Sequence, residues 1–305
     1  NLSLDDSSAR YLERKVGDPF SLVACFNLLQ KRGLSPNANN LEAILPEALE
    51  KPARSFLSGL DQPSRDRVNQ LCILEPPIPF SVIACITGTK PQDAARLQSD
   101  LDNSIVFRRV ERGLYDFGHS SLREYCRREL PEIQEIELHK KATRCFENLL
   151  DKLPDKQHAF LSLAEHAFYG EDYQTSFDLN FALGEGVYAH YDYSTALELM
   201  KRAKISAERL HDRNKLAAAY HHLGIIFQAL HKHSEALDNY TQSLKIEREL
   251  GNRDGEARTL HQTGIVYQAA HQYDNALNYY NQSLAIKREF GNRDGEATTL
   301  HQIGI

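Results

Sequence analysis

Gly251-Asn252-Arg253-Asp254-Gly255-Glu256-Ala257 recurs at Gly291 through Ala297, a shift of 40 residues, and this recurrence decides the fold. Residues 251–265 and 291–305 differ only at 258/298 and 263/303. Residues 211–250 and 251–290 continue the match. Each copy reads as two helices. Leu260, Gly264 and Tyr267 form an i, i+4, i+7 stripe, echoed by Tyr220, Gly224 and Phe227. Ala276, Tyr280 and Leu284 sit at i, i+4, i+8 of a second helix, echoed by Ala236, Tyr240 and Leu244. A glycine inside a helix costs about 1 kcal/mol against alanine. Gly224, Gly264 and Gly304 nevertheless keep one phase, which predicts paired helices in close contact there. The Gly-Asn-Arg-Asp-Gly tract supplies a helix stop and restart.

The order aromatic, Leu-Gly, aromatic, Ala, aromatic falls on Tyr220, Leu223, Gly224, Phe227, Ala236 and Tyr240. It resembles the tetratricopeptide repeat in its longer, 40-residue form. Two departures stand out: Arg248 and Arg288 occupy the usual late proline position, and Leu223 becomes Thr263 in the next copy. The resemblance implies an α-α superhelix whose first helices line a concave groove for a protein or peptide ligand. The columns expected to face outward there are His221, His261 and His301, beside His222, Gln262 and Gln302. Gln228 and Gln268 follow a turn later. Family members that clamp a peptide carboxylate carry Lys and Asn in these columns, so a C-terminal-tail clamp is not supported. The histidine column reads either as a partner-binding, pH-sensitive wall or as a polar groove lining. Zinc ligation is disfavoured, because equivalent residues on neighbouring helices sit about 10 Å apart and zinc ligands bind at about 2 Å.

Working outward, residues 138–210 read as degenerate helical hairpins that cap the array, with Ala164–Tyr169 and Ala189–Leu199 repeating one helix–turn–helix grammar. Residues 211–305 carry the clean copies, and the end at Ile305, inside a first helix, predicts that the array continues. Residues 54–137 differ. Helices are expected over about 53–60, 63–74, 79–87 and 91–102, followed by a hairpin of Ile105–Val110 and Leu114–Phe117 about Gly113. A closing helix from about 120 completes the outline of a winged helix. Its local charge, 11 Lys/Arg against 13 Asp/Glu over 54–137, argues against DNA, as do Asp93, Asp100 and Asp102 on the would-be recognition helix. Arg108, Arg109 and Arg112 on the hairpin are the only local argument for it.

Composition agrees with a globular chain: 305 residues, 41 % hydrophobic, 26 % charged, net charge −6. The longest mostly apolar stretch, Phe20–Leu29, is half the roughly 20 residues a membrane helix needs. Five cysteines without CxxC spacing predict buried, reduced thiols and a cytoplasmic protein. There is no Walker A loop, since Thr87-Gly88-Thr89-Lys90 lacks its spacing, and no GxSxG or HExxH. Asp116-Phe117-Gly118 stands without any other kinase signature. No catalytic site is expected within these residues.

In chain order, Gly17-Asp18-Pro19 opens a helix at about 19, and the winged-helix outline and the repeats follow. This layout resembles the C-terminal half of STAND-class NTPases, the NB-ARC and NACHT proteins and their relatives. The resemblance implies domains at 1–53 (lid helices), 54–137 (winged helix), 138–210 and 211–305. It implies that Pro19 packs on adenine and that His119, in Phe117-Gly118-His119-Ser120, touches the β-phosphate of ADP. Ser120 stands where the family motif has an acid. It further implies ADP or ATP with Mg held mainly by an upstream domain, a protein or peptide trigger of pathogen or phage origin, and homo-oligomerisation on activation. On the residues alone, Pro19 is equally an ordinary helix start and His119 a capping or core histidine. A nucleotide-free repeat scaffold is the alternative, and a winged-helix transcription regulator comes third.

Overall fold

The computed structural model describes residues 29–35, 40, 53–118 and 120–304, and they are mainly helical. The chain divides into two compact units after Gly170.

The first unit combines helices with one small sheet. After a helical stretch over 53–59, α1 spans Gln62–Leu71, with Asp61 capping it by accepting from the Ser64 N–H. Strand β1 (Ile78–Pro79) leads into α2 (Phe80–Thr87), which stops at Gly88 in the left-handed region. Next come a 3-10 turn at Pro91–Asp93 and α3 (Ala94–Asp102), then β2 (Phe107–Glu111) and β3 (Leu114–Phe117). The sheet is antiparallel in the order β1-β3-β2. The hairpin and its flanking helices match the sequence expectation. Strand β1 does not, because a two-residue strand has no periodicity to read. Its pairing, Ile78 with Tyr115, is extended by the Phe80 N–H donating to the Gly113 carbonyl at 2.8 Å. Tyr115, on the central strand, is fully buried and donates its hydroxyl to Asp102 at 2.8 Å. The core around it is apolar: Ile78, Val82, Ile83, Ile86 and Leu101 are all essentially unexposed.

Three further helices close this unit: α4 (Ser120–Glu129), α5 (Glu132–Leu149) and α6 (Lys156–Tyr169). Arg123 on α4 is buried but satisfied, donating to the Leu74 carbonyl and to Glu75, each at 2.8 Å. The expectation of five reduced thiols needs correcting. Cys85 on α2 and Cys145 on α5 form a disulfide, brought together from 60 residues apart by α2–α5 packing. No spacing rule reveals such a long-range pair. Cys72 and Cys126 do remain buried thiols, pushed up to about 12 by burial, and Cys25 lies outside the described residues.

The second unit is an array of helical hairpins. Its helices are α7 (Tyr173–Ala189), α8 (Tyr193–Arg209), α9 (Arg213–Ala229), α10 (His233–Leu250), α11 (Arg253–Ala269), α12 (Tyr273–Glu289) and α13 (Arg293–Gly304). First helices begin at 173, 213, 253 and 293, so the 40-residue register extends one copy upstream of the clean repeats. The stretch expected as one run of degenerate hairpins, 138–210, therefore has two parts. Residues up to 170 belong to α5 and α6 of the first unit, and 171–210 form a full repeat. Asp172, Asp212 and Asn252 cap α7, α9 and α11 through equivalent side-chain oxygens.

The glycine phase has the expected cause. A Cβ on Gly264 would lie 2.5 Å from the Tyr280 ring, and one on Gly224 would overlap the Tyr240 ring likewise. Both tyrosines are buried and donate their hydroxyls to Gln228 and Gln268, at 3.0 and 2.6 Å. In the upstream repeat Met200 replaces the tyrosine, and the space over Gly184 is looser, at 3.2 Å. The turns also keep count. Residues 171, 191, 211, 231, 251, 271 and 291 all have positive φ, at every twentieth position, and only 251 and 291 are glycine.

Candidate partner-binding surface

Helix α9 presents His221, His222 and Gln228; α11 presents His261, Gln262 and Gln268; α13 presents His301 and Gln302. Residues three apart on a helix share a face, so His221 and Gly224 point the same way, against Tyr240. The structure bears this out: the His221 ring lies 5.8 Å from the Tyr240 ring, and His261 lies 5.5 Å from Tyr280. His221 Nδ1 is also 2.8 Å from the hydroxyl of Thr259 on the next first helix, and His261 Nδ1 is 3.2 Å from Thr299. The two histidines thus sit between consecutive repeats. This corrects the expectation of an outward column: His221 is half-buried, His261 is 8 % exposed, and His301 alone is open. Burial, reinforced by the neighbouring His222 and Lys287 charges respectively, pushes His221 down to about 3 and His261 to about 4.

His222 stays half-buried at the surface. Its Nε2 is 3.6 Å from Glu185, and its ring meets Phe181 edge-on at 4.8 Å. Gln262 and Gln302 occupy the equivalent place and are half-buried. Gln228 and Gln268 spend their carbonyl oxygens on the buried tyrosines. Of the eight expected groove residues, His222, Gln262, His301 and Gln302 stay exposed or half-buried, and the other four contact the buried tyrosines or the next repeat.

Sequence reasoning missed the polar elements between repeats. Glu256 is buried under Arg248 and Arg253, at 2.7 and 2.6 Å, and Glu296 repeats the contact with Arg288 at 2.7 Å. Arg213 pairs with Glu249, and Arg253 with Glu289 one copy on at 3.3 Å. Aligning the copies carried the signal, because each of these residues recurs at 40.

Pro19 and His119 lie outside the described residues. Beside His119, Gly118 donates its N–H to the Val106 carbonyl at 2.6 Å, and a Cβ there would come within 3.3 Å of that oxygen. On the hairpin, Arg108 pairs with Asp116 at 2.8 Å and Arg109 with Asp102 at 3.6 Å. On α3, Asp100 is taken by Arg67 at 2.8 Å. His139 and His166, both buried, face each other through Nδ1 at 2.9 Å, and burial lowers both, His139 to about 4. Among the described residues no group of three or more His, Cys, Asp or Glu is arranged to hold a metal. No described helix is long and apolar enough to cross a membrane.

The tetratricopeptide repeat family matches residues 183–249, 242–289 and 255–305. No curated protein matches the sequence. Among solved structures, similarity extends to MamA, at 17 % identity over 51 % of this chain and 92 % of that one, with a TM-score of 0.35. It extends to a STAND protein with a tetratricopeptide repeat sensor from Pyrococcus horikoshii, at 14 % identity and TM-score 0.39. That match covers 93 % of this chain but 56 % of the other. Aspartyl phosphate phosphatase F from Bacillus subtilis is similar at 12 % identity over 99 % of this chain and 69 % of that one, with TM-score 0.44. Likenesses this distant carry no argument about this chain. The family match and the 40-residue hairpin register together make residues 183–305 an array of tetratricopeptide repeats, a scaffold fold for protein interaction.

Proposed function

We propose that this chain is the regulatory, ligand-sensing half of a STAND NTPase, its array binding a protein or peptide trigger. The observation that carries the proposal is the order of parts: a Gly-x-Pro motif in the sequence, a helical body with a three-stranded sheet, then the repeats. In that body the hairpin β2–β3 is the wing of a winged helix, and α4 begins next to His119, where a nucleotide-sensing histidine would stand. Pro19 and His119 meet ADP, which an upstream domain holds with Mg. Trigger binding and ATP then favour the same open, oligomerising state. Nothing described here performs the hydrolysis; this part senses and couples.

The test is nucleotide release from the full-length protein. Denaturing it should free stoichiometric ADP, identified by chromatography, and His119→Ala should speed ADP loss and give activity without trigger. An unchanged ADP off-rate would remove the role assigned to His119. A nucleotide-free protein would leave the second reading, an adaptor whose array is its whole function, which the family match supports directly. The transcription-regulator reading is weakened by the ion pairs at Arg108 and Arg109, which spend the hairpin's charge within the protein.

A further inference from the structure

The array repeats its backbone but not the chemistry of its junctions. At the junction of the first and second repeats, the three equivalent positions are Phe181, Ala207 and Ala219, all within one apolar cluster. At the next junction they are His221, Glu247 and Thr259, and at the third His261, Lys287 and Thr299. The second junction is the poorly satisfied one. Glu247 is 4 % exposed; its Oε1 accepts one long hydrogen bond, 3.3 Å, from the Thr259 hydroxyl, and the nearby Ser243 hydroxyl gives its proton to the Ala217 carbonyl at 2.9 Å. The Glu247 Oε2 is buried without a partner. Since Thr259 donates to Glu247, His221 Nδ1–H must donate to Thr259, at 2.8 Å. Gly255 leaves the room for the carboxylate: a Cβ there would lie 2.6 Å from Oε1. At the third junction Lys287 donates to Thr299 at 2.8 Å instead.

We propose that the junction between the second and third repeats is the hinge of the array, firm while Glu247 is neutral and loosened when it ionises. A buried carboxylate with one weak hydrogen bond carries a desolvation cost that its neighbours do not repay. Repeats contact only their neighbours, so the array separates where one interface is weakest. Helices α11 and α12 then open as one body from α9 and α10.

The charged groups around Glu247 are few. From α11, Glu256 opposes its ionisation and Arg258 favours it, but Glu256 is itself covered by Arg248 and Arg253. From α9 come His221, held neutral by burial, and His222 beside it. Burial raises Glu247 above the usual glutamate range, so its share of the closed junction's stability is present in acid and lost as pH rises through the raised value. His221 acts in the opposite sense, weakening the closed junction below about pH 6.5. The glutamate's effect is therefore read as a difference between variants at each pH.

Hydrogen exchange of the intact chain, corrected for intrinsic rates, tests this at pH 8 and pH 4.5. At pH 8, Glu247→Gln should raise protection of α11 and α12 severalfold. That gain should shrink toward nothing at pH 4.5, while α7 and α8 stay unchanged. A triple variant, His221→Phe with Glu247→Ala and Thr259→Ala, gives the junction the residues of the first one and should raise protection at pH 8 as well. Should the glutamine variant not fold, the triple variant decides alone. No gain at pH 8, or a gain of equal size at both pH values for Glu247→Gln, overturns the proposal.

Discussion

Two buried tyrosines show how differently the two units are built. Tyr115 is the centre of a sheet whose partners come from residues 78 and 107–111, and whose hydroxyl reaches Asp102 on a helix. Tyr280 touches its own repeat: Gly264 and Gln268, both less than 20 residues away. One core is closed by distant parts of the chain, the other by neighbours. The first should fail as a whole and the second piecewise. Tyr115→Ala tests this most harshly, since truncating a buried aromatic costs about 3–5 kcal/mol. Limited proteolysis should then cut throughout 53–170 while α9–α12 resist. Simultaneous loss of both units would show that they share more than the chain.

Gly264→Ala makes the complementary test in the array. The methyl would overlap the Tyr280 ring, and overpacking of this kind costs about 1–3 kcal/mol. Exchange should quicken in α11 and α12 and not in α7 and α8. Gly184→Ala should cost clearly less, because the 3.2 Å contact there is the terminal methyl of a flexible methionine. Equal losses in urea melts of the two variants would refute the packing account.

Acid should separate the junctions by chemistry. His221 and His261 titrate normally when unfolded but only at about 3 and about 4 when folded. Their stabilisation is thus full above about pH 6.5 and is lost as pH falls toward 4. His221→Phe, the residue of the first repeat at that position, should flatten this acid limb at one junction. A urea midpoint series from pH 7 to 4 that keeps its slope in the variant would exclude His221 as a source.

These contrasts explain what the sequence could reveal. The two clean copies were legible because an unyielding ring fixes a glycine opposite it. The upstream copy was not, because Met200 accommodates its glycine loosely and only pairs such as Leu183-Gly184 and Ala196-Leu197 persist. The histidine column was misplaced because an array helix has two buried sides, one toward its partner and one toward the next repeat. The spacing His221 to Gly224 already put the histidine on the packed face. Thr259 and Glu247 had no such marker, since their contact is made across repeats and their identities change from copy to copy. The roles proposed for Pro19 and His119 rest on a resemblance alone.

The smallest effect concerns the turns, where the array again treats equivalent positions unequally. Gly251 and His231 have nearly the same left-handed φ, 67° and 58°. A residue with a Cβ loses about 1–2 kcal/mol in that conformation, while glycine adds unfolded-state freedom that offsets part of the gain. His231→Gly should accordingly stabilise the second repeat by about 0.5–1 kcal/mol, seen as a rise in urea midpoint with unchanged slope. The ring lost is exposed and meets His233 edge-on at 6.4 Å, so little packing goes with it. The reverse change, Gly251→His, should cost a similar amount at a turn between repeats. If both substitutions proved neutral, the recurrence of positive φ every 20 residues would be a consequence of helix packing and not a constraint on sequence.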